Sequence, residues 1–262
     1  MNALNIKKNN QLKIGYITDV GRERTLNEDS IYIDKEKRLF IIADGMGGTK
    51  AGEVASRITI DIVSSYIKNM INIFFDEFLN KDVIDDDIKN CENVLIDSIK
   101  IANETIFNIT KIKKEIKGMG STIILLYRFN DDFYIINVGD SRAYMIYNDS
   151  IEQISEDHSL VMEYVKEGKI SLEEARNHPE NNIITQCLGS INEPKPFINK
   201  IKLNKGIKIL LCSDGLNGML MDNEIKDIVN KNKNPMFICK NLVTECNKLG
   251  GYDNISIILI ST

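Results

Sequence analysis

The chain has no tryptophan, only two histidines, four prolines, and no excess of positive charge. Each shortage excludes something. His158 and His178 are too few to build the imidazole-rich sites of zinc enzymes. The five cysteines, Cys91, Cys187, Cys212, Cys239 and Cys246, are odd in number and dispersed, with no Cys-x-x-Cys pair. Neither a disulfide framework nor a zinc site is supported, and reduced, mostly buried thiols are expected. A net charge of −5 gives no basic surface for nucleic acid, and the many lysines are interspersed with acids as on a solvated surface. No apolar run approaches the roughly 18 residues of a membrane-crossing helix, and residues 1–11 lack a signal-peptide core, so a cytoplasmic location is expected.

What remains is ordinary in bulk. With 262 residues, 43% of them hydrophobic, the chain can bury a sizeable core. No linker and no repeat of solenoid length interrupts it, so residues 1–262 read as one domain.

One phrase occurs twice. Leu39-Phe40-Ile41-Ile42-Ala43-Asp44-Gly45-Met46-Gly47-Gly48 is an apolar run ending in aspartate and a glycine-rich turn. Ile209-Leu210-Leu211-Cys212-Ser213-Asp214-Gly215 repeats it. An Asp-Gly pair after a strand is commonly a hairpin turn. A hairpin needs a second strand at once, yet helical patterns follow here, near Gly52 and near Asp222. Asp44 and Asp214 therefore read as carboxylates held at strand ends, where they could share divalent ions. Spacing alone leaves this and the plain turn both open.

In chain order, 13–19 reads as a strand, followed by the polar loop 21–30 with Arg24, Glu28 and Asp29. A loop this charged is usually surface. An arginine just before a Glu-Asp pair also offers a phosphate fork beside carboxylates able to hold a metal through water. Helical spacing runs from 52 to about 79 and from 87 to 113. Phe74, Phe75 and Phe78 read as core, and Asn80-Lys81-Asp82 as the break between the helices. Strands are expected at 121–129, 133–138 and 142–147, with turns at Asn130-Asp131-Asp132 and Asn148-Asp149. Between the last two strands, Gly139-Asp140-Ser141 reads on spacing alone as a plain turn. Residues 153–189 form a polar excursion with short helices near 159–167 and 172–177, either a flap over a site or a surface insertion. Strands return at 200–203 and 207–212, helices at 222–230 and 235–248, and a last strand at 255–260 behind Asp253. Consecutive hairpins with paired helices predict an α+β fold of four layers, α-β-β-α: two stacked antiparallel sheets flanked by helix pairs.

Taken together, these motifs resemble the metal-dependent serine/threonine protein phosphatases of type 2C, the PPM family, and especially their compact bacterial members. The resemblance spans about 14–260, and its pieces stand in family order. They are Gly21 to Ser30, Ala43-Asp44-Gly45-Met46-Gly47-Gly48 and Ala51-Gly52-Glu53-Val54-Ala55-Ser56, then Met119-Gly120-Ser121-Thr122 and Val138-Gly139-Asp140-Ser141-Arg142-Ala143-Tyr144. Asp157-His158-Ser159, Cys212-Ser213-Asp214-Gly215-Leu216 and Asp253-Asn254-Ile255-Ser256 complete the set.

The resemblance implies hydrolysis of phosphoserine and phosphothreonine in proteins by direct attack of a metal-activated water, without a covalent phosphoenzyme. It implies that Asp44 bridges two metals and that the Gly45 carbonyl holds one of them, with Glu28 reaching it through water. It assigns Asp214 and Asp253 to the other metal, Asp140 with Asp214 to a third, Arg24 to the substrate phosphate, and Asp29 to support of the loop. All-oxygen ligands suit two to three Mn²⁺ or Mg²⁺ ions. A pair of such ions roughly 3.5–4 Å apart orients and acidifies a water for in-line attack, while Arg24 neutralises the phosphoryl oxygens. The implied partners are phosphorylated proteins, a cognate Ser/Thr kinase among them. Neither nucleic acid nor membrane is expected as a partner, and the chain is expected to be a monomer.

Three features depart from the family pattern. Met46 stands where many eukaryotic members carry a histidine as candidate general acid, leaving metal-bound water as the donor to the leaving oxygen. Glu180, Asn181 and Gln186 replace basic residues of the flap. The stretch 74–90 is longer than in compact relatives. Two other readings compete: a non-catalytic relative that binds phosphoproteins or metals, and a phosphatase of small phosphorylated metabolites.

Overall fold

The structure is a computed structural model that describes residues 12–36, 38–47, 51–78, 85–112, 116, 118–129, 132–202 and 206–261, with side chains of 72–78 and 85–88 excepted. The expected turn residues Asn130 and Asp131, the break at Asn80-Lys81-Asp82, the strand end Leu203 and the side chains of Phe74, Phe75 and Phe78 lie outside this set.

Two antiparallel sheets stack face to face. One is built from β1 (Lys13–Asp19), β7 (Arg142–Tyr147), β8 (Ser150–Gln153), β10 (Lys208–Cys212) and β11 (Ile255–Ser261), in the order β1-β11-β10-β7-β8. The other contains β2 (Asp29–Asp34), β3 (Leu39–Met46), β5 (Ile123–Phe129), β6 (Asp132–Val138) and β9 (Phe197–Lys202), in the order β2-β3-β5-β6-β9. The two-residue β4 (Gly120–Ser121) pairs with the end of β3.

Three apolar clusters correspond to the three interfaces of four layers. Strand residues alternate between faces, and β3 divides its side chains accordingly. Leu39, Ile41 and Ala43 pack against α1 (Ala51–Phe78) and α2 (Asp85–Ile112), whose Ala55, Val63, Ile67, Leu95, Ile99 and Ile106 recur at helical spacing. Phe40 and Ile42 face the other way, joining Ile124 and Leu126 against Ile209, Leu211, Ile258 and Ile260 of the first sheet. On the far side, Leu210, Cys212, Ile257 and Leu259 meet Ile225, Val229, Ile238 and Leu242 of α6 (Asp222–Asn230) and α7 (Pro235–Lys248). The α-β-β-α sandwich expected from the strand and helix order is therefore the fold.

The helices at 222–230 and 235–248 begin and end where their signals place them. Asn234 caps α7 by accepting from the Met236 and Phe237 N–H groups at 3.0 and 3.3 Å, and Pro235 occupies the first turn. Two elements were not anticipated. β8 follows the Asn148-Asp149 turn at once, and α5 (Asp214–Asn217) begins at the second Asp-Gly pair. The expected strand 121–129 is interrupted at Thr122, whose N–H leaves the ladder to reach the Asp44 carbonyl at 2.8 Å.

The strand registers bring several acids to one end of the sandwich. Asp29 stands opposite Asp44, Asp19 opposite Ile255, and Cys212 opposite both Arg142 and Ile257. The turn after β6, the exits of β3 and β10 and the entrances of β2 and β11 all open there.

Candidate metal and phosphate site

Asp44 continues the inter-sheet face set by Phe40 and Ile42, so period-two alternation aims its carboxylate into the mouth between the sheets. Its backbone is fixed at both polar groups by one residue: the Asp44 N–H donates to Thr122 Oγ1 at 3.1 Å, and the Asp44 carbonyl accepts from the Thr122 N–H. The next residue must be glycine. A Cβ on Gly45 would coincide with the Gly52 carbonyl at the start of α1 and lie 2.8 Å from the Glu28 carbonyl.

Asp214 approaches from the other sheet. β10 ends at Cys212, Ser213 precedes the first turn of α5, and Asp214 opens that helix. The Ser213 hydroxyl does not cap the helix. It crosses the sandwich to donate to Asp29 Oδ2 at 2.8 Å, and accepts from the Ser256 N–H at 2.9 Å. Asp44 and Asp214 are close enough that the Asp214 charge raises the Asp44 pKa. Two carboxyls in that relation share a proton or a cation.

Asp253 stands at the entrance of β11. Its Oδ1 accepts from the Asn254 N–H at 2.8 Å and its Oδ2 accepts from Arg24 Nη2 at 2.8 Å. Side-chain exposures of 50% for Arg24 and 35% for Asp253 make this an open, screened ion pair. The Asp253 charge, with Glu28 and Asp214 behind it, raises the Arg24 pKa against a smaller opposing effect of burial. Arg24 thus lies at the rim, charged and within reach of anything bound over the acids.

Glu28 and the Gly45 carbonyl face the same small space. A Cβ on Gly52 would lie 2.6 Å from Glu28 Oε1 and 2.6 Å from the Gly45 carbonyl oxygen. The absent side chain leaves a cradle with one carboxylate and one carbonyl oxygen on its wall.

Asp140 follows Gly139 in the turn after β6. Ser141 Oγ pairs with Thr122 Oγ1 at 2.8 Å, tying this turn to the Asp44 backbone. Behind it, Asp157 takes a forked bond from Arg142, with Nε to Oδ2 at 2.9 Å and Nη2 to Oδ2 at 2.7 Å. His158 Nδ1 accepts the Gly139 N–H at 3.2 Å, and burial lowers its pKa, so the ring acts as a neutral acceptor.

The electrostatics of the acids point one way. Burial first, and then the charges of Asp29, Asp214, Asp140 and Asp253, push Asp44 well above the ordinary carboxylate range. Burial followed by the neighbouring Asp253 lifts Asp214 to about 6, and burial followed by Asp214 lifts Asp140 to about 8. Asp29 rises to about 7, mainly by burial, against the hydroxyls of Ser256 and Ser213. Such a group is fully ionised near neutral pH only with positive charge among its members.

These residues fit divalent metal. Every donor is a hard oxygen, as Mg²⁺ and Mn²⁺ require. Oδ1 of Asp29, Asp140 and Asp214 is buried without a hydrogen-bond partner. Among the described residues no three acid, histidine or cysteine side chains close on a single point. The acids instead meet pairwise around Asp44, with the Gly52 cradle beside it. That arrangement suits ions that share one carboxylate and complete their shells with carbonyl oxygen and water.

Asp44, Asp214, Asp140, Asp29 and Asp253 are therefore brought together electrostatically, Gly45 and Glu28 share the cradle, and Arg24 sits on Asp253. The site also uses residues that sequence reasoning did not single out for a role: Thr122, Ser213 and Asn254. All three lie within quoted motifs, next to a candidate acid or, for Thr122, opposite one. A small polar residue beside a strand-end carboxylate was the available signal.

The family model described as "Protein phosphatase 2C" matches residues 21–240. The chain is 33% identical over 246 residues to a serine/threonine phosphatase stp of Listeria innocua, covering 93% of each chain. Its fold is similar to the crystal structure of the serine/threonine phosphatase Stp1 from Staphylococcus aureus, with a TM-score of 0.83, 34% identity, and coverage of 100% of this chain and 99% of that one. It is also similar to the catalytic domain of the serine/threonine protein phosphatase PstP in complex with two manganese ions, with a TM-score of 0.77, 27% identity, and coverage of 95% and 97%.

Proposed function

The chain belongs to the protein phosphatase 2C family, and from that premise we propose that the acids at the mouth of its sandwich are the metal and phosphate site of a protein-serine/threonine phosphatase. The enzyme hydrolyses phosphoserine and phosphothreonine in phosphorylated proteins and depends on Mn²⁺ or Mg²⁺. The observation that carries the assignment of residues is the buried, mutually repelling group of Asp44, Asp214, Asp140 and Asp29, which only added positive charge relieves.

In this reading Asp44 would contribute to two ions: one held with Asp214 and Asp253, the other with the Gly45 carbonyl and, through water, Glu28. Asp140 with Asp214 would hold a third. Asp29 keeps its place behind them through Ser213. When bound, the ions would supply Lewis-acid charge and would acidify a water for attack on phosphorus. Arg24, half exposed at the rim, would turn from Asp253 to the non-bridging phosphoryl oxygens and stabilise the charge that builds on them. Met46 carries no proton, so nothing at that position protonates the leaving oxygen, which takes its proton from water.

The reading covers the whole chain as one domain, with 153–189 as a flap beside the site. Arg176 of α4 (Leu172–Arg176) anchors that flap by donating to the Asn217 and Leu220 carbonyls at 3.1 and 2.8 Å. At its other end the Ser121 and Leu188 backbones bond each other at 3.0 and 2.8 Å. A cognate kinase among the substrates, a monomeric state and a cytoplasmic location belong to the same proposal. For the last, the support is that no helix among the described residues is long and apolar enough to cross a membrane.

The deciding experiment is phosphate release from phosphothreonine and phosphoserine peptides with Mn²⁺, against a sugar phosphate and a phosphotyrosine peptide. Activity on the first two that a chelator removes is expected. Turnover confined to the sugar phosphate, or phosphopeptide binding without turnover, would replace this reading with one of its two competitors.

A further inference from the structure

We propose that Asn254, which no candidate role in the sequence reaches, is the positioning residue of the phosphate-binding loop; the inference rests on the assignment of Arg24 to phosphate made above.

The loop between β1 and β2 carries Arg24 exposed at its tip and Glu28 at its end. The loop is rich in charge and its residues 22–26 are exposed, so polar bonds are what hold it. Asn27 Nδ2 donates to Thr18 Oγ1 at 2.7 Å, and the Gly251 carbonyl accepts the Arg22 and Glu23 N–H groups at 2.7 and 3.3 Å, but one buried side chain bonds the loop on both sides of Arg24. Asn254 Nδ2 donates to the Val20 carbonyl and to the Leu26 carbonyl, both at 2.9 Å, and Asn254 Oδ1 accepts the Glu28 N–H at 2.8 Å. All the hydrogen-bonding capacity of one amide, apart from a second lone pair, is spent on this loop. The residue is 4% exposed, so these are bonds made away from water, where a lost partner costs most.

The same residue is rooted on the metal side. Its N–H donates to Asp253 Oδ1, and its carbonyl lies where a Cβ on Gly215 would fall, next to Asp214. Asn254 therefore measures the distance between the acids and the loop. Truncating it loosens the Leu26–Glu28 side of the loop, so that Arg24 ranges over more positions, and a guanidinium that must be ordered at each encounter binds phosphate more weakly. Asn247 offers a contrast. Its Nδ2 donates at 3.1 Å to Asp19 Oδ1, at the stem of the loop, and it touches neither of the carbonyls that bracket Arg24.

The test is a double-mutant cycle on binding of inorganic phosphate, measured by calorimetry on the full chain with Mn²⁺ present. Asn254→Ala is expected to weaken phosphate binding about tenfold in the native background. In an Arg24→Ala background the same change is expected to cost about twofold or less, because the residue it positions is gone. In turnover assays the loss is expected in KM, with kcat moved far less. Equal losses in both backgrounds, or an equal loss from Asn247→Ala, would overturn the proposal and leave Asn254 a purely structural residue. Should Asn254→Ala fail to fold, Asn254→Ser keeps an oxygen for the Glu28 N–H and carries the same cycle. A native chain that hydrolyses phosphopeptides but shows an additive cycle sinks this inference alone. One that binds phosphate, gives the expected cycle and hydrolyses nothing sinks the functional reading alone. A native chain with Mn²⁺ that binds no phosphate sinks both.

Discussion

The two Asp-Gly pairs begin from nearly the same words and end as different structures. At Asp44-Gly45 the strand continues to Met46, paired with β4, and the aspartate is held by its backbone through Thr122. At Asp214-Gly215 the strand stops, a four-residue helix begins, and the serine before the aspartate spends its hydroxyl on Asp29 of the opposite sheet. The glycines answer to one constraint in both places. Foreign backbone, the Gly52 carbonyl in one case and the Asn254 carbonyl in the other, fills the space a Cβ needs. The lesson is that the dipeptide specifies a close approach between chain segments rather than a turn type. Which conformation it takes depends on the segment that approaches.

The comparison breaks most visibly if the two aspartates are equivalent. Asp44→Ala removes the acid proposed to be shared and is expected to lower kcat on a phosphothreonine peptide by roughly a thousandfold or more. Asp214→Ala is expected to leave a measurable Mn²⁺ stoichiometry by calorimetry where Asp44→Ala leaves almost none. Equal stoichiometries would show that Asp44 is no more central to metal binding than Asp214.

The glycines give the next largest effect. Gly45→Ala and Gly215→Ala each force backbone apart and are expected to cost roughly 1–3 kcal/mol in denaturant unfolding. Only Gly45→Ala should also weaken metal binding, since it displaces the carbonyl on the cradle wall. If both changes were silent, the close approaches inferred for these positions would be wrong.

Removal of metal sharpens the comparison through pH. The folded-state pKa values of Asp214, Asp29 and Asp140 are raised from 3.8 to about 6, 7 and 8. The native state therefore binds more protons than the unfolded state between about pH 4 and pH 8. Stability from this source is fully present below about pH 4 and is lost as pH rises through the raised values. The melting temperature of chelated protein should fall on going from pH 5 to pH 8, and Mn²⁺ should restore more at pH 8 than at pH 5. A chelated protein that gains stability across that range would show that the acids do not repel one another.

The smallest effect separates the serine from the threonine. Ser213→Ala strips Asp29 of one hydroxyl partner and is expected to destabilise by about 1–3 kcal/mol, with kcat reduced less than by Thr122→Val, which removes the acceptor of the Asp44 N–H. The reverse order in kcat would make the cross-sheet tie the more important of the two.

Much was legible before any coordinates. Apolar runs ending in Asp44 and Asp214, consecutive hairpins and paired helices predicted four layers and the strand ends where acids could gather, because such patterns are local properties of a sequence. The resemblance to a phosphatase family named the same acids. Period and motif gave no sign that Ser213 would bond Asp29 rather than cap α5, that Thr122 would leave its strand for Asp44, or that Arg24 would rest on Asp253. Those partners are 184, 78 and 229 positions apart in the chain.

By itself, then, the sequence determined where apolar runs end in acids, which segments are helical, and that hard oxygen donors rather than thiols or imidazoles would meet any metal. Tertiary structure alone decided that Gly52 leaves a cradle between Glu28 and Gly45, and that Asn254 bonds the arginine loop on both sides of Arg24. The reason is physical: periodicity is written in neighbours along the chain, whereas a hydrogen bond across the sandwich exists only once two sheets have been brought into register.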